Sequence, residues 1–234
     1  MSKTLKEYFI TWWTIMARPI LFFTRLKEED WKEKALTFLL QTAWLLAALV
    51  ALTIFIVQYV PIGATLVEAV RGWKLIVVLP VLVTLALVFF LITAFILGGL
   101  LVVGLGAAFY GIGAVLHYTY ILMGGKGHLP RMIQQSLYSS AVTLAGVIPC
   151  LLAVFTRYGL LDFALFRVGY NLFYGLTVLY VYGLWAVSGR RVYGVPKWLA
   201  FTGALVPVII LLIFGLAFDK IALGKLEAWI APLK

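Results

Sequence analysis

Charged side chains are confined to six short clusters along the chain, and long uncharged runs separate these clusters. A helix needs about 20 apolar residues to cross the hydrocarbon core of a membrane, where it satisfies its own backbone hydrogen bonds. Four runs have this length, at Ala35–Val60, Leu137–Thr156, Val168–Val187 and Trp198–Phe218. A fifth run, Leu75–Met123, is longer than one span needs. The pattern therefore predicts an all-α, polytopic transmembrane helical bundle.

The fifth run leaves the number of spans open between five and six, because a turn at Gly98–Gly99 would make it cross twice. The positive-inside rule compares the Lys and Arg residues on the two sides of the membrane. With the N-terminus inside, either arrangement places 12 basic residues inside and 7 outside. Loops 124–132 and 188–197 contain no acidic residue. Five spans keep both of these wholly positive loops inside, so the five-span arrangement is favoured.

Three regions follow from this pattern: a cytoplasmic or interfacial N-terminal segment (1–34), the transmembrane bundle (35–218) and a short interfacial tail (219–234). In the first region, an apolar and aromatic block from Leu5 to Met16 is too short to span and is typical of an interfacial helix. A helix packed under the bundle is the alternative. Because tryptophan rings favour headgroup depth, the predicted interface anchors are Trp12, Trp13, Trp31, Trp198 and Trp229.

Glycine recurs at a spacing of seven residues within the long run. On a helix this spacing produces a smooth stripe that another backbone can approach closely. The predicted helix-packing residues are Gly99, Gly104, Gly106, Gly111 and Gly113. A glycine-rich kink or re-entrant turn that absorbs the surplus length is a further interpretation of the same residues.

Composition supports a membrane protein and argues against other classes. Hydrophobic residues make up 64% of the chain, charged residues only 12%, and the mean hydropathy is +1.07, whereas soluble domains have about 25% charged residues. The net charge of +10 comes from residues that flank the spans, so we expect no nucleic-acid partner. The N-terminal residues lack the pattern of a secretory signal. We therefore expect a cytoplasmic N-terminus and a location in the cell membrane.

Residues suited to catalysis or metal binding are scarce. Hydrolysis needs a nucleophile with a base, a carboxylate pair or a metal. The histidines are His117 and His128, without metal-ligand spacing, and the single cysteine, Cys150, lies in an apolar run. His117 is interpreted as a hydrogen-bonded interfacial histidine. The sequence therefore predicts no enzyme, no metal and no cofactor.

A family resemblance rests on two stretches. Gly124–Gly125 ends the long run, a short basic loop follows, and Tyr138–Ser139 opens the next run, with Pro149 late in it. Upstream, Arg18–Leu26 is a proline and phenylalanine segment before the first run. From about residue 17 to 215, this arrangement resembles the Yip-domain family of polytopic membrane proteins, in particular its prokaryotic branch.

The resemblance implies five spans and a cytoplasmic N-terminus. Eukaryotic members of the family are associated with Rab-type GTPases and vesicle membranes through long cytoplasmic N-terminal regions. Here that region covers only 34 residues, and Leu137, Val142 and Thr143 stand where the family pattern has glycine and prolines. Rab binding is therefore not carried over, and the prokaryotic branch implies no agreed activity.

The functional prediction is a non-catalytic integral membrane protein that organises the membrane or interacts with lipid. Basic groups near an anionic surface bind lipid headgroups, and the predicted headgroup-binding residues are Arg18, Arg25, Lys126, Arg131, Arg190, Arg191 and Lys197. Membrane lipids are the expected partners, with a homo-oligomer or another membrane protein as alternatives. A lipid or small-solute translocation protein and an accessory subunit of a larger assembly remain open. Polar in-span residues such as Ser136 and Asn171 either line a path or bridge helices.

Overall fold

The computed structural model describes residues 3–27, 30–70 and 74–232, and within them every regular element is helical. The α-helices are α1 (Lys3–Ala17), α2 (Pro19–Arg25), α3 (Lys34–Ile54), α4 (Val60–Ala69), α5 (Lys74–Leu122), α6 (Leu129–Ser139), α7 (Val147–Arg157), α8 (Phe163–Tyr193), α9 (Lys197–Phe218) and α10 (Gly224–Ile230). Two π-helical segments, Phe55–Tyr59 and Asp219–Leu223, and one 3₁₀ segment, Ser140–Gly146, join successive α-helices.

These elements combine into five continuous helices that are long and apolar enough to cross a membrane, as judged by length and composition over the described residues. They are Lys34–Ala69, Ile76–Leu122, Leu129–Arg157, Phe163–Tyr193 and Lys197–Ile230. The predicted five-span helical bundle is confirmed. The alternative turn at Gly98–Gly99 is wrong, because α5 passes through both glycines without a break. The predicted tail at 219–234 begins as a continuation of α9.

Proline explains where two of the spans change their helical turn. Proline has no N–H to donate to the carbonyl four residues earlier, so a regular α-helix is disturbed there. Pro61 follows the π-helical segment Phe55–Tyr59, and Pro149 follows the 3₁₀ segment Ser140–Gly146. In both spans the irregular turn contains the carbonyl that proline leaves without its usual partner. The helix continues across each site rather than ending.

The N-terminal helix α1 packs into the bundle, which is the second of the two sequence interpretations. Tyr8 and Ile15 are buried. The Tyr8 hydroxyl forms a 2.8 Å hydrogen bond with the hydroxyl of Thr42 on α3, and burial raises the pKa of Tyr8. The hydroxyl of Tyr180 on α8 donates to the carbonyl of Met16 at 2.7 Å. The other face of α1 exposes Phe9, Ile10 and Trp13, so α1 joins the bundle on one side and can contact lipid on the other.

The glycine stripe of α5 has little to pack against within the chain. A Cβ added at Gly99, Gly104, Gly106 or Gly111 would meet open space. At Gly113 it would lie 3.1 Å from the Cα of Ile133 on α6, and at Gly98 it would collide with the ring of Trp44 on α3. Of the predicted set, only Gly113 packs against another helix of this chain. Gly98, which was not in the set, is the second packing position, and the four remaining glycines have no helix of the described chain against them.

Substituting leucine at Gly113 should lower the thermal stability of the solubilised protein, whereas Gly106→Leu should change it little. Forcing a larger side chain into a packed contact costs about 1–3 kcal/mol, and the backbone of α6 at Ile133 leaves no room. The two variants share one helix and one substitution, so they control for each other. An equal loss at Gly106 would indicate that a second molecule covers the stripe.

Candidate functional site: the basic end of the bundle

Two short loops, 123–128 and 194–196, meet at one end of the bundle, which is called the basic end below. Gly124 has a φ of +85°, in the left-handed region that glycine adopts readily. A Cβ at Gly125 would lie 2.7 Å from the Cβ of Tyr193, so a larger residue would separate them. The backbone N–H of Lys126 donates to the carbonyl of Tyr193 at 3.3 Å. The double glycine of the sequence motif thus lets the loop after α5 contact the end of α8, and this contact is called the joint below.

Aromatic side chains fasten the helices just inside this joint. The Tyr193 hydroxyl and the Nδ1 of His117 form a hydrogen bond of 2.6 Å. The Tyr120 hydroxyl donates to the carbonyl of Ala200 on α9 at 2.7 Å, and a Cβ at Gly189 would collide with the Tyr120 ring. His117 is therefore the hydrogen-bonded histidine that the sequence predicted, and it connects α5 to α8.

Two buried serines of α6 bridge helices. The Ser136 hydroxyl donates to the carbonyl of Phe109 on α5 at 2.6 Å. The indole N–H of Trp185 on α8 donates to the hydroxyl of Ser139 at 3.0 Å. These bonds tie α6 to both neighbours, and hydroxyl bridges of this kind stabilise packed helices in a membrane. The geometry of these two serines therefore fits residues that bridge helices better than residues that line a path through the bundle.

The predicted headgroup-binding residues separate into two groups. The amide Nε2 of Gln134 donates to the carbonyl of Lys27 at 3.1 Å, which holds the segment after α2 beside the start of α6. Six residues consequently lie at the basic end, namely Arg25, Lys126, Arg131, Arg190, Arg191 and Lys197. Arg18 lies apart from them. It follows Met16, which is bonded to Tyr180, and Tyr180 precedes Arg190 by ten residues, or about 15 Å along a helix.

Some of these positive charges are stabilised by the partial charge of the helix end on which they lie, and others are destabilised by it. A helix terminus carries a partial charge, positive at the N-terminus and negative at the C-terminus. Arg190 and Arg191 occupy the last turn of α8, where a cation stabilises the helix. Lys197 is the first residue of α9 and Arg131 lies in the first turn of α6, where a cation is unfavourable. The helices themselves therefore account for Arg190 and Arg191 but not for Lys197 and Arg131.

The family model of the Yip1 domain matches residues 13–218, which covers most of the chain and all of the joint described above. The chain belongs to the Yip1 domain family. Comparisons with curated proteins and with solved structures gave no significant match. The predicted family is confirmed, and its prokaryotic branch stays a prediction.

The tryptophans of this Yip1 domain do not all face outward. Trp13, Trp198 and Trp229 are 65%, 68% and 61% exposed, as an interface anchor requires. Trp12 instead points into the bundle, because its indole N–H donates to the carbonyl of Ala141 at 2.9 Å. Trp31 is half-buried, and its ring lies 5.6 Å from that of Tyr110 on α5. Helix contacts therefore engage these last two rings, which the sequence interpretation had assigned to headgroup depth.

Ionisable side chains at the opposite end of this Yip1 domain also fasten helices. Arg167 on α8 forms an ion pair of 2.6 Å with Asp219, and the amide of Asn171 donates to the same carboxylate at 2.9 Å. This network ties α8 to the π-helical segment after α9. In the described ranges, no three His, Cys, Asp or Glu side chains come together in a way that could hold a metal ion.

Replacing Gly125 with alanine should open the joint at the basic end. The new Cβ would lie 2.7 Å from Tyr193, and relieving this contact should cost about 1–3 kcal/mol of stability. Hydrogen exchange should then accelerate at the Lys126 amide, which loses its carbonyl partner. Gly111→Ala, in open space on α5, is the matched control. Unchanged exchange at Lys126 in the Gly125 variant would contradict the close contact.

Proposed function

We propose that this Yip1 domain is a non-catalytic protein of the cell membrane that organises lipid by holding anionic headgroups at its basic end, which faces the cytoplasm. The cytoplasmic leaflet carries anionic lipid, and each basic group near its surface contributes about 1 kcal/mol of attraction. Guanidinium groups bind phosphate in a bidentate manner, and ammonium groups bind it as point charges. The chemistry of the surface therefore fits a phosphate-bearing headgroup.

The meeting of the two loops is the observation that carries this proposal. The hydrogen bond between Lys126 and the Tyr193 carbonyl brings together two segments that contain no acidic side chain. Like charges held together repel one another, and Lys197 also opposes the partial charge of its own helix. An anionic ligand would relieve both costs. Retention of positive loops in the cytoplasm needs basic residues but does not need the loops to touch.

The interior of the bundle supports a binding function over a translocation path. A path for headgroups needs polar side chains that are available to the solute. The hydroxyls of Thr42, Ser136 and Ser139 are engaged in hydrogen bonds between helices or along them. The hydroxyls of Ser140 and Ser188 have no such partner but are fully buried, so a solute does not reach them. Trp185, which donates to Ser139, is itself fully buried in the core. These contacts favour a packed interior with its lipid chemistry at the surface.

The proposed orientation makes a prediction about chemical labelling. Single cysteines at Lys126 and Arg190, in a Cys150→Ala background, should resist an impermeant maleimide in intact cells, because five spans place both positions on the cytoplasmic side. A cysteine at Lys225, which is exposed near the far end of the fifth span, should react and serves as the reference. Both should react after the cells are opened. Labelling at Lys126 or Arg190 in intact cells would overturn the orientation.

The headgroup proposal makes a separate prediction about retained lipid. The double change Lys126→Gln and Lys197→Gln should weaken binding of phosphatidylglycerol by about 30-fold, since two groups at about 1 kcal/mol each are lost. Native mass spectrometry of the purified chain, titrated with phosphatidylglycerol and with phosphatidylcholine, measures this binding. The loss should affect the anionic lipid alone and should shrink at high salt, which screens exposed charges.

Lys220→Gln with Lys225→Gln is the matched control, because both lysines are exposed and lie at the opposite end. The control also removes two positive charges, so it separates position from net charge. If both double variants lose the same amount of phosphatidylglycerol, or if neither loses any, the basic end is not a headgroup site.

A further inference from the structure

A cavity of about 420 Å³ lies between α3, α7, α8 and α10, at the end of the bundle opposite the basic end. Its walls are mainly apolar side chains, among them Val50, Val57, Ala153 and Ile230. Protein interiors contain few voids larger than a water molecule, and ligand pockets have volumes of about 300–1,000 Å³. The volume therefore exceeds a packing defect and lies within the range of a ligand site.

Thr53 and Gln58, two of the polar side chains that reach this cavity, have partners elsewhere. The hydroxyl of Thr53 donates to the carbonyl of Leu49 at 2.9 Å. The amide Nε2 of Gln58 donates to the carbonyl of Trp229 at 2.7 Å. A trapped water molecule needs two to four polar partners, and these engaged groups supply few. Water is consequently a poor occupant for the space.

A second cavity, of about 290 Å³, extends the first toward the middle of the bundle. The two share Val50, Pro149 and Tyr170 as lining residues, so they adjoin each other between α3, α7 and α8 and are together called the groove below. Along the first span the groove reaches from Gln58 to Leu46, which is about 18 Å at the rise of a helix. One leaflet contributes half of a hydrocarbon core of about 30 Å, so a single acyl chain extends about 15 Å. The groove and the chain match in length.

We infer that this groove is a binding site for one acyl chain of a membrane phospholipid. The site lies in the membrane-spanning part of the chain, where hydrocarbon is the surrounding solvent. Its apolar walls can pack against an acyl chain but offer water few hydrogen bonds. The groove is independent of the basic end, because the two share no residue and use different chemistry. One holds a charged headgroup and the other an uncharged tail.

The short helix α10 closes the groove along one side. Leu226, Trp229 and Ile230 on α10 contribute to the lining. Two side chains hold the far end of this helix: Gln58 donates to the Trp229 carbonyl at 2.7 Å, and Arg157 donates to the Ala231 carbonyl at 2.6 Å. These contacts connect α10 to the π-helical segment after α3 and to α7. They keep the helix over the groove, so a chain bound there is separated from bulk lipid on that side.

A phospholipid with a photoreactive diazirine midway along one acyl chain tests the site in reconstituted vesicles. Labelling of peptides from α7 and α10 should saturate as the mole fraction of the probe rises, because a site has a fixed capacity. Labelling of the exposed apolar face of α5 should rise in proportion to the probe, since that face contacts bulk lipid. The α5 signal is therefore an internal reference within every sample.

Ala153→Trp should fill the cavity and reduce the α7 and α10 labelling relative to α5 by about tenfold, because a packed volume excludes a second hydrocarbon group. Leu151→Trp is the control, since Leu151 lies on the same helix, is exposed and does not line the cavity. Labelling of α7 and α10 that rises in proportion to the probe, as that of α5 does, would overturn the inference. This test needs only the unsubstituted chain. Retained saturable labelling in the Ala153 variant would also overturn the assignment to this cavity.

Discussion

Within a membrane, a backbone amide or carbonyl without a partner costs several kcal/mol, and this constraint determines the shape of every span. It explains why α5 runs unbroken from Lys74 to Leu122 although glycines recur along it. A turn at Gly98 would expose several backbone groups to hydrocarbon, whereas a straight helix exposes none. The same constraint explains why Pro61 and Pro149 follow altered helical turns rather than breaks. Within the described residues each span is continuous, and the breaks lie before the first span or in short segments between spans.

A helix that keeps its own hydrogen bonds still presents carbonyl oxygens that can accept a second bond, and tyrosines of this bundle use them. Tyr120 donates to the carbonyl of Ala200, Tyr174 to that of Leu211 and Tyr180 to that of Met16. Each hydroxyl thereby reaches a partner on another helix without a second polar side chain. Glycine provides the space, since a Cβ at Gly189 or Gly215 would collide with Tyr120 or Tyr174. Large rings and small residues together replace the polar pairs of a soluble core.

The spans and the family could be predicted from the sequence, because uncharged runs and a double glycine are local patterns. Which helix packs against which face could not be predicted. A seven-residue spacing shows that Gly106 and Gly113 share a face of α5, but α6 covers only Gly113. Trp12 likewise has the sequence context of an interface residue. In the structure its indole N–H donates to the carbonyl of Ala141, which lies in a distant part of the chain. Tyr193 was missed as the centre of the basic end, since a tyrosine at a helix end carries no local signal of its role.

The two lipid contacts proposed for this Yip1 domain lie at opposite ends of the bundle and therefore face different leaflets. At the basic end, the proposed binding of a headgroup rests on the charge of several exposed residues, so it should depend on salt and on lipid charge. In the groove, the proposed binding of an acyl chain rests on apolar contact, which depends on buried area and not on charge. A lipid crossing the membrane would have to leave one kind of site for the other along a polar route, but Ser136 and Ser139 on α6 are already committed to neighbouring helices. The arrangement is consequently better suited to holding lipid in each leaflet than to moving it between them.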